Sequence, residues 1–212
     1  MICVCLRGSS FAECRGAALE AGMAEVRLDL LEMPPEERLA LFGLGVPTVA
    51  TCRKGKLGAR ERRGLLEQAL RAGATWVDVD RGELDAPMRR LLDRNRAWDK
   101  LILSYHNFRE TPPVPVLLEI GASLIAAGGK IAKIACLASD PGDAARIMGL
   151  YDRIRPLIAL GMGPAGVVTR VAAVSLGAPF TYAAMDGGEP TAPGQLTVSE
   201  LRGLRAVLEG SR

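Results

Sequence analysis

The residues with the clearest chemical potential are a lysine and a histidine associated with apolar runs. Lys133 occupies the middle of the run Ile131–Cys136, and His106, the only histidine of the chain, ends the run Leu101–His106. Burying a charged amine is unfavourable, so we expect the Lys133 amine to act as a nucleophile. Such an amine condenses with a ketone or aldehyde to an iminium, and a histidine can then move a proton on the adjacent carbon. The pair indicates an imine-forming lyase or aldolase, with the substrate left open.

Charged side chains also recur at alternate positions of two strand-like runs. Because alternate side chains of a strand point to opposite faces, the charged set is predicted to face the interior or mouth of a barrel. The set comprises Glu25, Arg27 and Asp29 in one run and Asp78 and Asp80 in the other. We expect Arg27 and Arg53 to hold an anionic or polyhydroxylated substrate and to help keep the Lys133 amine neutral. Taken singly, a strand-end Asp or Arg more often belongs to a solvated rim.

The elements that must position these residues alternate regularly along the chain. Strands are predicted at Ile2–Leu6, Ala24–Leu30, Thr48–Arg53, Trp76–Asp80, Leu101–His106, Ile131–Cys136, Leu157–Gly161 and Phe180–Ala184. Helices are predicted at Phe11–Ala21, Pro35–Phe42, Arg60–Ala72, Ala86–Ala97, Val114–Ala127, Pro141–Ile154, Ala165–Leu176 and Ser199–Leu208. This pattern indicates parallel strands of the α/β class. A doubly wound open sheet is the alternative, but no G-x-G-x-x-G follows the first strand, so we predict a single (β/α)8 TIM barrel over residues 1–212.

Two further segments bear on the function of such a barrel. Asp186–Gln195 is the longest irregular segment, and its position after the eighth strand predicts a lid over the catalytic end. The apolar segment Val116–Ala127 is expected either to pack into the core or to form the interface of a homodimer.

Composition excludes several classes of protein. Apolar residues make up 49% and charged residues 24%, and the net charge of +3 gives no argument for a nucleic-acid partner. No apolar run reaches the roughly 20 residues of a membrane span, and the first residues are expected to form a strand, not a signal peptide. The five cysteines lie mostly in apolar runs, which is typical of reduced thiols in a cytoplasmic protein. Cys3 and Cys5 have no neighbouring histidine, so we expect no metal site.

Six segments of the chain resemble the type I 3-dehydroquinate dehydratases, over essentially the whole length. The matching segments are residues 25–29, 50–53, 104–108, 132–135, 162–163 with 166–170, and 192–195. Each segment alone is weak evidence. Six in the right order, each at a strand end or in the following loop, are specific for the family.

The resemblance implies a (β/α)8 barrel that dehydrates 3-dehydroquinate to 3-dehydroshikimate in the shikimate pathway without a cofactor. It implies that Lys133 forms a Schiff base with the substrate ketone. It also implies that His106 removes the proton as general base and then protonates the departing hydroxyl. The implied substrate-binding residues are Glu25, Arg27 and Arg53 for ring hydroxyls, Arg170 and Gln195 for the carboxylate, Thr191 for a lid hydrogen bond, and Met162 and Tyr182 for packing against the ring.

One position departs from the family pattern. The family usually places a glutamate four residues after the arginine of the third strand, where it orients the catalytic histidine, but this chain has Leu57 there. The His106 imidazolium would then be less stabilised and its tautomer less fixed. We expect Asp80, on the adjacent strand, to take over this part.

Two alternatives to the dehydratase stay open at this point. A class I aldolase would also need the lysine, although the histidine, the arginines and the Pro193–Gln195 lid segment fit the dehydratase better. A non-catalytic barrel that binds a shikimate-pathway metabolite or a protein partner is favoured only by Leu57.

Overall fold

The apolar runs of the sequence form eight parallel strands of one curved sheet. The computed structural model describes residues 1–8 and 10–210; Ser9, Ser211 and Arg212 lie outside the described residues. The strands are β1 (Ile2–Gly8), β2 (Ala24–Leu31), β3 (Thr48–Thr51), β4 (Trp76–Asp80), β5 (Leu101–Asn107), β6 (Ile131–Leu137), β7 (Leu157–Met162) and β8 (Thr181–Ala184). Their order is β7-β6-β5-β4-β3-β2-β1-β8. Within the described residues no ladder joins β7 to β8, so the barrel is nearly closed.

A helix follows each strand and covers the outside of the barrel. The α-helices are α1 (Phe11–Ala21), α2 (Pro35–Ala40), α3 (Ala59–Arg71), α4 (Ala86–Arg94), α5 (Val114–Ala126), α6 (Pro141–Gly149), α7 (Val167–Ala172) and α8 (Val198–Glu209). Helix caps set several of these boundaries. Asp140, for example, accepts a hydrogen bond from the Asp143 amide at the start of α6, and Pro141 occupies the first turn. The predicted single (β/α)8 TIM barrel is confirmed, whereas the extent of one domain over residues 1–212 stays a prediction.

Several predicted boundaries were too long. The helix predicted over Ala86–Ala97 ends at Arg94, and Arg96 takes a left-handed conformation with φ of 48°. The helix predicted over Pro141–Ile154 gives way after Gly149 to one 3₁₀ turn, and the third strand ends at Thr51, before Arg53. Local pattern alone does not report where the ladder or the i→i−4 hydrogen bonds stop, so these ends were misplaced by several residues.

The core lies between the sheet and the helices. The apolar members of each strand that point outward, such as Val26 and Leu28, are almost fully buried against the helix layer. Helix α5 buries Leu117, Ile120 and Leu124 in the core and leaves Val116 exposed. No helix of residues 1–8 and 10–210 is long and apolar enough to cross a membrane.

Strand register brings the charged residues to one level of the barrel interior. Cys5 lies beside Glu25 on the neighbouring strand, and Ser104 lies beside Lys133. His106 is two residues further along β5 than Ser104, so it shares the inward face and lies nearer the carboxyl end. The carboxyl ends of parallel strands therefore collect the residues that the sequence singled out.

Candidate active site

A cavity of about 710 Å³ opens at the carboxyl ends of the strands. All of the substrate-binding and catalytic candidates of the sequence line it: Glu25, Arg27, Arg53, Asp80, His106, Lys133, Met162, Arg170, Tyr182, Thr191 and Gln195. Barrel enzymes bind their substrates at this end, where loops can vary without disturbing the packed interior. The location of the cavity and its lining therefore agree with a site for a small molecule.

Lys133 projects from the middle of β6 into the barrel, and its side chain is 7% exposed. Its Nζ donates a hydrogen bond to Oδ2 of Asp78 at 2.8 Å and lies 3.9 Å from Oε1 of Glu25. The ring of Tyr182 lies below the amine, with its centroid 4.0 Å from Nζ. A cation over an aromatic face is attracted by the ring quadrupole, so the nitrogen occupies a place suited to positive charge.

These contacts correct one expectation about the neighbours of the lysine. The sequence predicted that Arg27 or Arg53 would keep the Lys133 amine neutral. In the structure, Arg27 makes a bidentate pair with Asp29 at 3.1 and 2.7 Å, and Arg53 contacts Asp78 at 2.7 Å. Both guanidinium charges are thus paired with carboxylates, and the nearest charged group to Lys133 is the Asp78 carboxylate.

Asp78 is an almost fully buried acidic group beside Lys133, with 2% of its surface exposed. Its Oδ2 accepts hydrogen bonds from Lys133 and Arg53, and its Oδ1 accepts one from the Ser104 hydroxyl at 2.7 Å. Burial by itself raises the pKa of this carboxyl, but Arg53 and Lys133 outweigh burial and hold the pKa well below its ordinary range. Asp78 is therefore a fixed negative charge.

His106 lies at the end of β5 and contacts Asp80 at the end of β4. The His106 Nδ1 and the Asp80 Oδ2 are 3.0 Å apart, and the other carboxylate oxygen of Asp80 accepts a hydrogen bond from the Gly82 amide. Burial and the Arg53 charge lower the pKa of His106, while the contact with Asp80 opposes them. The carboxylate expected to replace the missing glutamate at Leu57 is thus within hydrogen-bond distance of the imidazole.

The lid segment lies over the cavity and is tied to its floor by Gln195. The Gln195 Oε1 accepts hydrogen bonds from the amide and the hydroxyl of Thr191, and its Nε2 contacts Sγ of Cys5 at 3.1 Å. The amide of Gly163, just after β7, also donates to the Pro193 carbonyl at 3.0 Å. The lid is therefore held to the middle of β1 and to the residue that follows β7.

Arg170 reaches the cavity from α7 and is 3% exposed. Burial lowers the pKa of its guanidinium to about 10. Its Nε has no hydrogen-bond partner, and within residues 1–8 and 10–210 its side chain makes no ion pair. A buried cation without a carboxylate is suited to an anionic ligand.

Two participants of the site were not among the residues predicted to act in it. Asp78 was a candidate only as one member of the alternating set, and its contact with Lys133 depends on the relative positions of three strands, which one sequence does not display. Cys5 was interpreted as a core thiol; burial and the nearby Glu25 raise its pKa, and it also lines the cavity. Among the described residues, no three His, Cys, Asp or Glu side chains gather as metal ligands.

The fold and the cavity define a class: a (β/α)8 barrel that presents a buried lysine, a histidine and an arginine at the carboxyl ends of its strands, a set suited to carbonyl chemistry on an anionic compound. Within that class, the chain belongs to the type I 3-dehydroquinase family, whose family model matches residues 2–212.

Individual relatives agree with this membership. The chain is 35% identical to the 3-dehydroquinate dehydratase of Desulfotalea psychrophila, with 97% of this chain and 96% of the relative covered. It is 36% identical to the 3-dehydroquinate dehydratase of Pyrococcus abyssi, with 88% and 83% covered. The crystal structure of 3-dehydroquinate dehydratase from Geobacillus kaustophilus superposes with a TM-score of 0.81 at 28% identity, with 100% of this chain and 92% of that chain covered.

Proposed function

We propose that this chain dehydrates 3-dehydroquinate to 3-dehydroshikimate, through an imine on Lys133 and without a cofactor. The observation that carries the proposal is that the buried Lys133 amine, the His106 imidazole and the Arg170 guanidinium, which forms no ion pair with the described residues, all line one cavity. Family membership supports the reaction type, a carbon–oxygen lyase, and the name of the relatives supports the substrate.

In the proposed reaction, Lys133 as the neutral amine attacks the ketone and forms a carbinolamine. The carbinolamine hydroxyl takes up a proton from solvent and leaves as water, which gives a protonated iminium. His106 then removes a proton from the neighbouring carbon. The C–H electron pair forms a carbon–carbon double bond, and the π electrons of the iminium move to the nitrogen, which gives a neutral enamine. The enamine electrons expel the hydroxyl on the next carbon, which His106 protonates, so water leaves and the iminium returns. Hydrolysis of that iminium releases the product, the neutral amine and the proton that was taken up when the iminium formed.

His106 and Asp80 support this assignment by their geometry. Because burial and Arg53 lower the pKa of His106, the imidazole is neutral near pH 7, as a general base must be. The Asp80 contact at Nδ1 favours the tautomer that keeps Nε2 free for the substrate proton. Asp80 would act on the histidine and not on the substrate.

Arg170 would bind the substrate carboxylate, with Gln195 and Thr191 of the lid above it. Arg27, Arg53 and Glu25 would contact ring hydroxyls from the floor, while remaining partly engaged with their carboxylate or hydroxyl partners. Met162 and Tyr182 would pack against the ring, since both are buried in the cavity wall.

The test is to incubate the protein with 3-dehydroquinate and borohydride and to search for a mass adduct on Lys133. Conjugated enone formation is followed in parallel by ultraviolet absorbance. Lys133→Ala is expected to lose both adduct and turnover. Lys130→Ala, which changes an exposed lysine directly before β6, is expected to keep both. Product without an adduct would exclude the imine route, and neither product nor adduct would favour a metabolite-binding barrel.

The proposal extends to the setting of the protein. We propose a place in the shikimate pathway and a cytoplasmic location, which five free, buried thiols support. A homodimer and the absence of nucleic-acid partners stay predictions, which sedimentation and a binding assay with DNA would test.

A further inference from the structure

The proposed reaction gives no role to Asp78, the charged group that lies beside the reacting nitrogen of Lys133. Asp78 Oδ2 lies 2.8 Å from Lys133 Nζ, closer than any other carboxylate oxygen. Glu25 is the second carboxylate near the amine, but its Oε1 is 3.9 Å away and accepts a hydrogen bond from the Thr51 hydroxyl. Lys133 is therefore in direct contact with one carboxylate.

We propose that Asp78 is a further catalytic residue, the counter-ion of the iminium that forms on Lys133. The inference rests on the proposed function, because it concerns the same covalent intermediate. When the carbinolamine loses its hydroxyl as water, the nitrogen becomes positively charged and keeps one N–H. That N–H donates to Asp78 Oδ2, as Lys133 Nζ does in the structure, so the carboxylate stabilises the cation without changing its own protonation.

Other groups hold the Asp78 carboxylate at this position. The Arg53 Nη2 and the Ser104 hydroxyl each donate a hydrogen bond of 2.7 Å, one to each carboxylate oxygen. Fixed dipoles and charges stabilise a developing charge without having to reorganise during the reaction. Arg53 has a second effect. Its positive charge partly offsets the negative charge of Asp78, so the iminium still withdraws electrons from the neighbouring C–H bond.

The Asp78 carboxylate should raise the pKa of the iminium N–H. Simple iminium ions lose their N–H proton near neutrality in water. An ionised carboxylate in contact favours the charged form by about one to three pH units. The titratable or charged groups that face the nitrogen or its carboxylate partner include Cys3 and Cys5 of β1, Glu25 of β2, Arg53 after β3, Asp78 of β4, His106 of β5 and Tyr182 of β8. Among these, Asp78 alone is an anion within hydrogen-bond distance of Nζ.

The experiment uses cyanoborohydride, which transfers hydride to the protonated iminium and not to the neutral imine. Inactivation rates are measured at saturating substrate from pH 6 to 10, for the unchanged protein and for Asp78→Asn. In the unchanged protein, the inactivation rate is expected to stay constant up to at least pH 9. In Asp78→Asn, the rate is expected to begin to fall about one to three pH units lower. The matched control is Asp143→Asn, which removes a buried carboxylate that caps a loop at α6, away from the cavity.

Coinciding profiles for the unchanged protein and Asp78→Asn would overturn the counter-ion. If Asp78→Asn fails to fold, the pH profile of the unchanged protein still tests the proposal. An inactivation rate that already falls at pH 7 to 8 would show an iminium without an ion-pair partner and would contradict the counter-ion. Binding of the reduced alcohol analogue, which lacks the ketone, should change less than threefold in Asp78→Asn, a result that separates stabilisation of the cation from loss of the site. Absence of any Lys133 adduct in the unchanged protein would contradict the imine mechanism itself.

Discussion

The imidazole of His106 is subject to opposing influences, and their balance sets the pH range in which it can accept a proton. Burial and Arg53 lower its pKa, whereas the Asp80 carboxylate raises it. The net pKa lies below the ordinary value of about 6.5. As pH falls through that lowered pKa the histidine becomes protonated, so the acid limb of kcat/KM is expected below pH 6.5.

Asp80→Asn should move this acid limb to still lower pH, because the substitution removes the group that favours the imidazolium. It should also lower kcat roughly tenfold or more, since the tautomer is no longer fixed. The measurement is a kcat/KM profile from pH 4.5 to 9. Asp152→Asn, on the barrel surface, is the control. An unshifted profile with full turnover would show that another group orients His106.

Single residues could be identified from sequence where the residue type conflicts with its surroundings. Lys133 within an apolar strand and Asp80 at an alternating position both had that signal. The contact of Asp78 with Lys133 had none, because it spans 55 positions and two intervening strand ladders. Arg170, on a short helix, was identified only through the family resemblance. That its Nε has no hydrogen-bond partner among the described residues is visible only in the folded chain.

At the scale of the elements, the lid depends on a close approach of two backbones. Gly194 has φ of 71°, and an added Cβ would overlap the carbonyl of Gly163 after β7. Gly194→Ala should therefore displace the lid and raise KM by on the order of tenfold to 100-fold, as misplaced binding groups do. Steady-state kinetics measure this change.

Gly187→Ala is a matched control for that substitution, because Gly187 lies in the same segment with φ of 73° and has open space around its Cβ position. It carries the same backbone strain, roughly 1–2 kcal/mol, without the overlap. Equal values of KM in the two variants would show that the contact with Gly163 does not position the lid.

The presence of each helix and strand could be predicted from the periodicity of the sequence. The boundaries of these elements could be predicted only where a specific residue marks them. The Asp140–Pro141 start of α6 lies where the sequence placed it, and Gly73, with a positive φ angle, lies just past the end of α3. By contrast, α7 ends at Ala172, four residues before the predicted end at Leu176, although Gly177 also has a positive φ angle. The end of α4 had no such marker, because the residues up to Ala97 continue the helical pattern while Arg96 adopts a left-handed conformation. The overestimated helices therefore reflect tertiary packing that a local pattern does not contain.

For the whole molecule, the strict alternation of eight units was enough to predict the barrel, and both the fold and the family are confirmed. Stability should depend on the layer between sheet and helices. Leu92 of α4 is fully buried, so Leu92→Ala should reduce the free energy of unfolding by about 2–5 kcal/mol through loss of contacts and a cavity. Urea denaturation measures the difference, and kcat of the folded protein should stay unchanged.

Leu204→Ala serves as the comparison, because Leu204 is 45% exposed on α8. A surface change of this kind usually alters the free energy of unfolding by no more than about 0.5 kcal/mol. Similar losses in both variants would indicate that Leu204 is covered by a second copy of the chain in solution.

The solitary guanidinium of Arg170 has a consequence for heat resistance. Within the part of the chain that the structure describes, this charge has no ion-pair partner, whereas a bound carboxylate would supply one. Any small organic acid that fits the cavity, even one without a ketone, should therefore raise the melting temperature, in proportion to the logarithm of its concentration once that exceeds the dissociation constant. Arg170→Leu should abolish this dependence, so a simple melting curve with and without such an acid reports on the cavity without any turnover.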